Sequence, residues 1–282
     1  LDKKISNEKE KPSFVKDDLR KRQYLSGLSI EDLELILHPM AEEGKEASGS
    51  MGDDTPVAVL SSHYRPVSHY FRQNFSQVTN PPIDSLRENK VMSLKTRFGN
   101  LGNILDFDNL TEETIYVLDS PILTNSQFNK FKKFFSKKIK IIDCTFDITS
   151  SLKDRIEAIR EESETAVREG STALILSDKN ISNKKASIPS ILTVGAVHSH
   201  LVKHCLRGYC SLNVECSDAL DTHSFAVLIG VGATTVNPYL AIDSIYQRFE
   251  KNLFGKADFE RCVVKFKKSI DAGLLKIMSK MG

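Results

Sequence analysis

Cysteine is scarce in this chain, and its pattern excludes several kinds of site. There are five cysteines, an odd number, and no two of them form a CxxC pair. This argues against a disulfide framework and against a zinc ribbon, and it favours buried free thiols. The cysteines are Cys144, Cys205, Cys210, Cys216 and Cys262. None of their spacings, 61, 5, 6 and 46 residues, could wrap an iron–sulfur cluster, which needs closely grouped thiolates, so we expect no cluster and no metal site in this chain.

Excess charge and long apolar runs are also missing. Lysine and arginine number 39 against 37 acidic residues, so the net charge of +2 provides no field that would attract nucleic acid or an anionic membrane. No apolar run approaches the roughly 20 residues that a membrane span requires, and residues 1–22 lack the apolar core of a signal peptide. The sequence therefore predicts a cytoplasmic protein that binds neither nucleic acid nor membrane.

Common catalytic motifs are absent too. His200 and His204 are four residues apart and would share a helix face, as two metal ligands could. However, there is no H-E-x-x-H glutamate, and His198, two residues before His200, would lie on a different face of the helix. Core packing is the favoured role for these histidines. Cys205 is next to His204 in sequence, and adjacent side chains point in different directions from a helix. No nucleophile–base pair therefore stands out.

What the sequence does have is a regular alternation of strands and helices over residues 140–250. Four predicted strands lie at 140–148, 172–177, 210–215 and 233–236, and predicted helices follow at 152–167, 189–207, 219–229 and 238–249. Such βα units imply a parallel sheet. Since no G-x-G-x-x-G follows any strand, the sequence predicts an α/β fold: an incomplete (β/α) barrel-like parallel sheet with flanking helices and an irregular N-terminal segment.

The N-terminal third is less regular. Residues 1–21 are highly charged and are predicted to be a flexible arm or linker, with order beginning near Gln23. A short helix capped by Ser29 is predicted to stop at His38-Pro39. The remaining expectations are a buried strand at 57–61, a helix at 67–75, an irregular excursion at 79–110, and a helix at 258–282.

Residues 50–94 form an irregular segment with two features that ordinary folding does not require. Gly49 and Gly52 precede the paired carboxylates of Asp53 and Asp54. In Thr79-Asn80-Pro81-Pro82 the two prolines have no backbone N–H to donate and hold the preceding residues extended. The segment closely resembles the start of the central domain of the glutamate synthase large subunit. Three later stretches carry the same resemblance: DSPILTNSQF (119–128), IPSILTVGAVHSHLV (188–202) and HSFAVLIGVGATTVNPYLAIDSI (223–245).

The resemblance covers about residues 22–282 and implies a domain between a glutamine amidotransferase domain and an FMN-binding domain. Residues 50–94 would be its interface segment, and residues 258–282 would lead into the FMN domain. The chain is then expected to be a piece of a larger enzyme that makes glutamate from glutamine and 2-oxoglutarate, and to be inactive alone. FMN and a 3Fe-4S cluster are implied for the whole enzyme and none for this chain. Besides the two neighbouring domains, the resemblance implies a small electron-transfer subunit or ferredoxin as a partner. It also implies a plastid location if the source is eukaryotic.

The resemblance also implies candidate site residues. Met51, Gly52, Thr79 and Asn80 would line or border the channel through which ammonia passes between the two active sites. A thioether and backbone carbonyls suit a neutral solute better than ionised side chains do. The alternative for Asp53 and Asp54 next to them is a structural role, in which their carboxylates cap backbone amides.

The acidic residues after the strands support a second hypothesis of a different class. Glu215, Cys216 and Asp218 follow the third predicted strand, at the edge where barrel enzymes place catalytic groups, and Asp178 and Asn237 follow the second and fourth. A free-standing barrel-like hydrolase could use them. The structural alternative, which we favour, is that Asp218 caps the next helix. The stretch ECSDALDTHSF also departs from the usual family pattern, ESGEAREVHHF, which puts any family role for its histidine in doubt.

Overall fold

The computed structural model describes residues 9–47, 60, 65–71, 83–84, 86–98 and 116–281. Its strands are β1 (Thr96–Phe98), β2 (Tyr116–Leu118), β3 (Ile139–Asp143), β4 (Thr145–Asp147), β5 (Ala173–Ser177), β6 (Lys185–Ser187), β7 (Ser211–Glu215) and β8 (Thr235–Asn237). Its α-helices are α1 (Lys16–Leu25), α2 (His38–Glu43), α3 (Glu88–Val91), α4 (Asn125–Phe134), α5 (Leu152–Arg168), α6 (Ser190–Lys203), α7 (Thr222–Gly230), α8 (Tyr239–Glu250) and α9 (Phe259–Met281).

The centre of the fold is a four-stranded parallel sheet in the order β3-β5-β7-β8. Helices α5, α6 and α7 connect its successive strands, as the alternating sequence pattern predicts. Beyond β8, Ile122 forms a parallel bridge with Val236, so a segment that precedes β3 in the chain continues the sheet at its far end. Among the described residues the sheet does not close into a barrel, in agreement with the incomplete barrel-like fold that the sequence predicts.

Both faces of the sheet are covered at its central strand β5, as the alternation of side chains along that strand shows. Leu174 and Leu176 join the main core with residues of α5 to α9, whereas Ala173 and Ile175 join a second cluster with Phe128 and other residues of α4, β1 and β2. Successive side chains of a strand point to opposite faces, so a strand that is apolar throughout is covered on both sides.

Local sequence signals set several helix ends. Thr124 and Gln127 form a reciprocal capping box at the start of α4, and Ser151 accepts the Asp154 N–H at the start of α5. Gly170 ends the α5 region with φ at +96°, a conformation that glycine adopts at little cost. The predicted strand at 140–148 is divided: β3 belongs to the parallel sheet, while β4 pairs with β6 in a separate antiparallel ribbon.

The predicted helix stop at His38-Pro39 is wrong. Ser29 and Asp32 exchange cap hydrogen bonds as expected, but the helix continues through a π-helical turn at Asp32–Leu37 into α2. In that turn the His38 N–H bonds to the Leu33 carbonyl, five residues back. A proline ring inside an α-helix clashes with the carbonyl four residues earlier, and the wider π turn changes that geometry just before Pro39.

The expectations for residues 57–110 are only partly covered by the described residues. Of the predicted helix at 67–75, the described residues 67–71 form a single 3-10 turn at Val67–Tyr70, after which Phe71 is extended, and residues 72–75 lie outside the described residues. Most of the predicted strand at 57–61 lies outside the described residues. The excursion at 79–110 contains two elements that the sequence did not predict, α3 and β1.

The predicted arm overlaps described structure. Helix α1 begins at Lys16, and its Leu19 is buried with Tyr239 and Leu240 of α8. At the other end of the chain, α9 packs against α2, α7 and α8. Within the described residues, no helix combines the length and apolar character needed to cross a bilayer.

Candidate functional site

The carboxyl edge of the parallel sheet gathers the polar residues that follow its strands. Asp178 follows β5, Glu215 ends β7 with Asp218 three residues on, and Asn237 ends β8. Asp178, Glu215 and Asn237 are buried and Asp218 is partly buried, since parallel strands end side by side and the loops that follow them fold over the same edge.

Glu215 is held in a dense ionic contact. Lys132 and Lys179 place their Nζ atoms 3.0 and 2.9 Å from Oε1, and the Ser177 hydroxyl donates to Oε2 at 2.7 Å. Only 5% of the Glu215 side chain is exposed. Burial raises the pKa of the Glu215 carboxyl, but the two ammonium groups and the Ser177 hydrogen bond outweigh it and lower the pKa below its usual value. Glu215 is therefore an ionised residue with its oxygens already occupied.

Asp178 and Asp218 form a second acidic pair at this edge, and the pKa of each carboxyl group is raised. Asp178 Oδ2 accepts hydrogen bonds from the Ser217 N–H at 2.9 Å and the Ser217 hydroxyl at 2.6 Å. Burial and then the neighbouring Asp218 raise the pKa of Asp178 to about 6. Burial likewise raises the pKa of Asp218. One oxygen of each, Oδ1, has no hydrogen-bond partner among the described residues.

The expectation that Asp218 caps the next helix is wrong. Its Oδ2 accepts the Ser190 N–H at 2.9 Å and so caps α6, the helix that precedes it in sequence. Asp221 is the residue that caps α7, through the Ser224 N–H at 3.0 Å. This is also why α7 begins at Thr222 and not at Ala219.

Asn237 belongs to a chain of amide and carboxyl groups that ends at Asp243. The Asn237 amide donates to Asn125 Oδ1 at 3.0 Å, and the Asn125 amide donates to Asp243 Oδ1 at 3.1 Å. Asp243 also accepts the backbone N–H groups of Ser13 at 2.8 Å and Phe14 at 2.9 Å. Burial raises the pKa of Asp243 to about 7, against the opposing effect of these N–H donors. Asp243 could not be found from the sequence, because its hydrogen-bond partners lie more than 100 residues away.

The edge is covered by the chain's own N-terminal segment, residues 9–14. Besides the Ser13 and Phe14 bonds, Glu10 accepts the Ser126 N–H at the start of α4, and the Lys11 carbonyl accepts the Asn125 amide at 3.2 Å. The Phe14 ring packs against Tyr239, with ring centroids 5.7 Å apart. The acidic residues of this edge are thus closed off by contacts within the chain.

The cysteines do not fit an iron–sulfur cluster. Cys144, Cys210, Cys216 and Cys262 are buried as free thiols, and burial raises the pKa of each. Among the described residues, the group whose metal-ligating atoms converge contains no cysteine. A flavin phosphate is not favoured at the start of α4, α6 or α7 either, since Glu10, Asp218 and Asp221 already occupy those N–H groups.

The histidines separate into structural and clustered ones. His198 accepts a hydrogen bond from the Arg207 Nε at 3.2 Å, and His223 bonds to the Ser68 carbonyl at 2.9 Å. His200 and His204, at the end of α6, meet Glu164 of α5. The i, i+4 histidine pair is visible in the sequence, but its glutamate is not, because Glu164 lies on another helix and no short motif contains it.

The four predicted channel residues, Met51, Gly52, Thr79 and Asn80, lie outside the described residues, so their role stays a prediction. The described part of the same segment contacts the helices. Val67 and Phe71 line an open apolar groove of about 580 Å3 together with residues of α5 and α6, among them Ile156 and Ile191.

Comparison with known proteins agrees with the resemblance. Residues 21–282 match the family model of the glutamate synthase central domain. The chain is 55% identical over 99% of its length to the glutamate synthase [NADPH] large chain of Azospirillum brasilense, and 41% identical over 94% to that of Bacillus subtilis. It is 38% identical over 94% to the chloroplastic ferredoxin-dependent glutamate synthase of Spinacia oleracea. The chain spans 19%, 17% and 17% of these relatives. It belongs to the glutamate synthase central-domain family.

Proposed function

We propose that this chain is the central connecting domain of a glutamate synthase. It packs between the amidotransferase and FMN domains of one polypeptide, which together make glutamate from glutamine and 2-oxoglutarate. Family membership supports this role, and so does length: the chain corresponds to about a fifth of the Azospirillum large chain, whose remaining length leaves room for further domains.

One observation carries the proposal that the domain is not itself catalytic. The carboxyl edge, where a barrel enzyme would place its catalytic groups, is occupied by internal contacts. Two lysines bind Glu215, Asp218 caps a helix, and residues 9–14 cover Asp243. Groups that a substrate could reach are needed for hydrolysis, so this arrangement does not favour the alternative of a free-standing hydrolase.

We assign glutamine hydrolysis and the redox chemistry of the enzyme to domains outside this chain. FMN and the 3Fe-4S cluster would be held by other domains. The names of the relatives specify NADPH, NADH or ferredoxin, and any of these could supply the electrons, in the first two cases through a further subunit or domain. A cytoplasmic or plastid location is consistent with both groups of relatives.

The domain's own contribution is part of the ammonia channel. Met51, Gly52, Thr79 and Asn80 would form its wall on the side that faces the FMN domain. Ammonia must cross unprotonated and away from water, and a soft thioether and backbone groups permit this, whereas an ionised side chain would draw water into the passage.

The test is Met51→Glu in the complete enzyme. We expect both half-reactions to continue but to become uncoupled, so that more glutamine is hydrolysed than 2-oxoglutarate is aminated. Activity with added ammonia should be retained. The measurement is the ratio of the two rates in one assay.

The matched control is Met278→Glu, which makes the same change at a methionine that is 44% exposed on α9. It should leave the ratio at one. If Met51→Glu lowers both rates together at a ratio of one, the channel role of Met51 is wrong.

A further inference from the structure

Glu164, His200 and His204 form a compact cluster of metal-ligating side chains on the outer face of the helices. His200 Nε2 lies 2.7 Å from Glu164 Oε2, and His204 Nδ1 lies 3.7 Å from Glu164 Oε1. The two imidazole rings face each other, with centroids 4.4 Å apart and planes tilted by 38°. Three potential ligands from two helices therefore converge on one point.

The spacing of the ligand atoms is close to that of a coordinated metal. One atom from each residue can be chosen so that all three lie within 4.8 Å of one another. Ligands at about 2.1 Å from a tetrahedral zinc ion are about 3.4 Å apart, so each needs to move by roughly 1 Å or less. Side-chain rotation alone provides a shift of this size.

The backbone already holds the two histidines in register. The His204 N–H bonds to the His200 carbonyl at 3.1 Å, which keeps the final turn of α6 intact and places both rings on the same face. Glu164 lies in the last turns of α5, and α5 packs directly against α6. A metal at this point would join the two helices.

The electrostatic setting also favours a cation. Both helices end here, and the carbonyl groups of a helix C-terminus carry a partial negative charge. Against this, Arg168 competes for the carboxylate: its Nε and Nη2 atoms lie 2.8 and 2.7 Å from Glu164 Oε1. The Arg168 side chain is 56% exposed, so it can turn into solvent when Oε1 binds a metal.

We propose that Glu164, His200 and His204 bind a divalent transition-metal ion, with Zn2+ the best match to two imidazoles and one carboxylate. The side chains remain accessible: those of His200 and His204 are 18% and 37% exposed. Three protein ligands leave a fourth position for water. Because the ion links the ends of α5 and α6, its role is to fasten these helices together, far from the carboxyl edge of the sheet.

The experiment is calorimetric titration of the chain with Zn2+ alone. Unmodified chain should bind one equivalent, and Zn2+ should raise its melting temperature. His200→Gln and His204→Gln should each weaken the binding at least about tenfold and abolish the rise in melting temperature. Circular dichroism verifies that the variants are folded. His69→Gln, which removes an exposed imidazole elsewhere, should change neither reading.

Two further variants test the side chains that border the cluster. Arg168→Gln should strengthen the binding, because it removes the cation that competes for Glu164. Cys205→Ser tests the exposed thiol beside His204 and should leave binding intact. The proposal is overturned if no saturable binding occurs, if it survives His200→Gln, or if it is lost in Cys205→Ser.

Discussion

Asp243 is the residue at which the N-terminal segment meets the sheet edge. Three N–H groups, from Ser13, Phe14 and the Asn125 side chain, donate to its carboxyl group. Burial nevertheless raises its pKa to about 7, so the folded protein binds a proton that the unfolded chain releases near pH 4. By linkage, the stability from this group is complete below about pH 4 and is lost as the pH rises to 7.

Asp243→Asn should therefore change the pH dependence of stability. The variant cannot ionise, so it escapes the loss that unmodified chain undergoes between pH 4 and 7. We expect the melting temperature of the variant relative to unmodified chain to increase as the pH is raised from 5 to 8. Differential scanning calorimetry at four pH values measures this.

Asp17→Asn is the control, since it makes the same replacement at a side chain that is 90% exposed. Its melting temperature relative to unmodified chain should stay level over the same range. A constant difference for Asp243→Asn, or one that moves the other way, would mean that the N–H donors keep the Asp243 carboxylate ionised in the folded protein.

Among the helices, α7 and α9 make a very close approach. Gly273 of α9 lies so near Thr222 that an added Cβ would be 2.8 Å from the Thr222 hydroxyl oxygen and nearer still to its methyl group. Glycine at this point allows the long α9 to lie directly on α7 and bury Phe266 against Phe225.

Gly273→Ala should destabilise the protein by about 1–3 kcal/mol, because the added methyl group overpacks the contact. Thr222→Ala in the same chain should recover part of this loss. Gly195→Ala in α6 is the matched control: a Cβ there meets nothing within 4 Å, so the change should be neutral or stabilising by up to about 1 kcal/mol. Urea unfolding measures all of these variants. Equal effects at both glycines would contradict the role given to the α7–α9 contact.

An element could be predicted from the sequence when the residues that determine it lie close together in the chain. The βα alternation from β3 to α8 was predictable because strand and helix periodicity and caps such as Ser151 are local in sequence. Pairings between distant segments were not. The bridge between Ile122 and Val236 and the contact of Glu164 with His200 depend on neighbours that no short window contains.

Over the whole chain, residues 9–14 are part of the fold and not only a connection to it. The Phe14 ring stacks under the Arg22 guanidinium, 3.5 Å from the ring centroid, and packs on Tyr239. The placement of the domain boundary near residue 22 remains a prediction. The described contacts show that residues on its N-terminal side are bound to the sheet edge.

Phe14→Ala should lower the free energy of unfolding of the whole chain by about 1–3 kcal/mol, less than a fully buried phenylalanine would lose. The reason is that it removes the aromatic contact that holds the segment over the edge. Tyr24→Ala, at a tyrosine that is 84% exposed, is the control and should have little effect. If Phe14→Ala leaves the urea midpoint unchanged, the segment is an independent arm.

The contact between Ser13 and Asp243 also has a consequence for how the chain is made. The two residues are 230 positions apart, so during translation the N-terminal segment leaves the ribosome long before its acceptor exists. Closing so long a loop comes late, after local βα units have formed. Until α8 has been synthesised, the carboxyl edge of the growing sheet stays open to water, and a nascent chain arrested before Asp243 should leave residues 9–14 open to a protease.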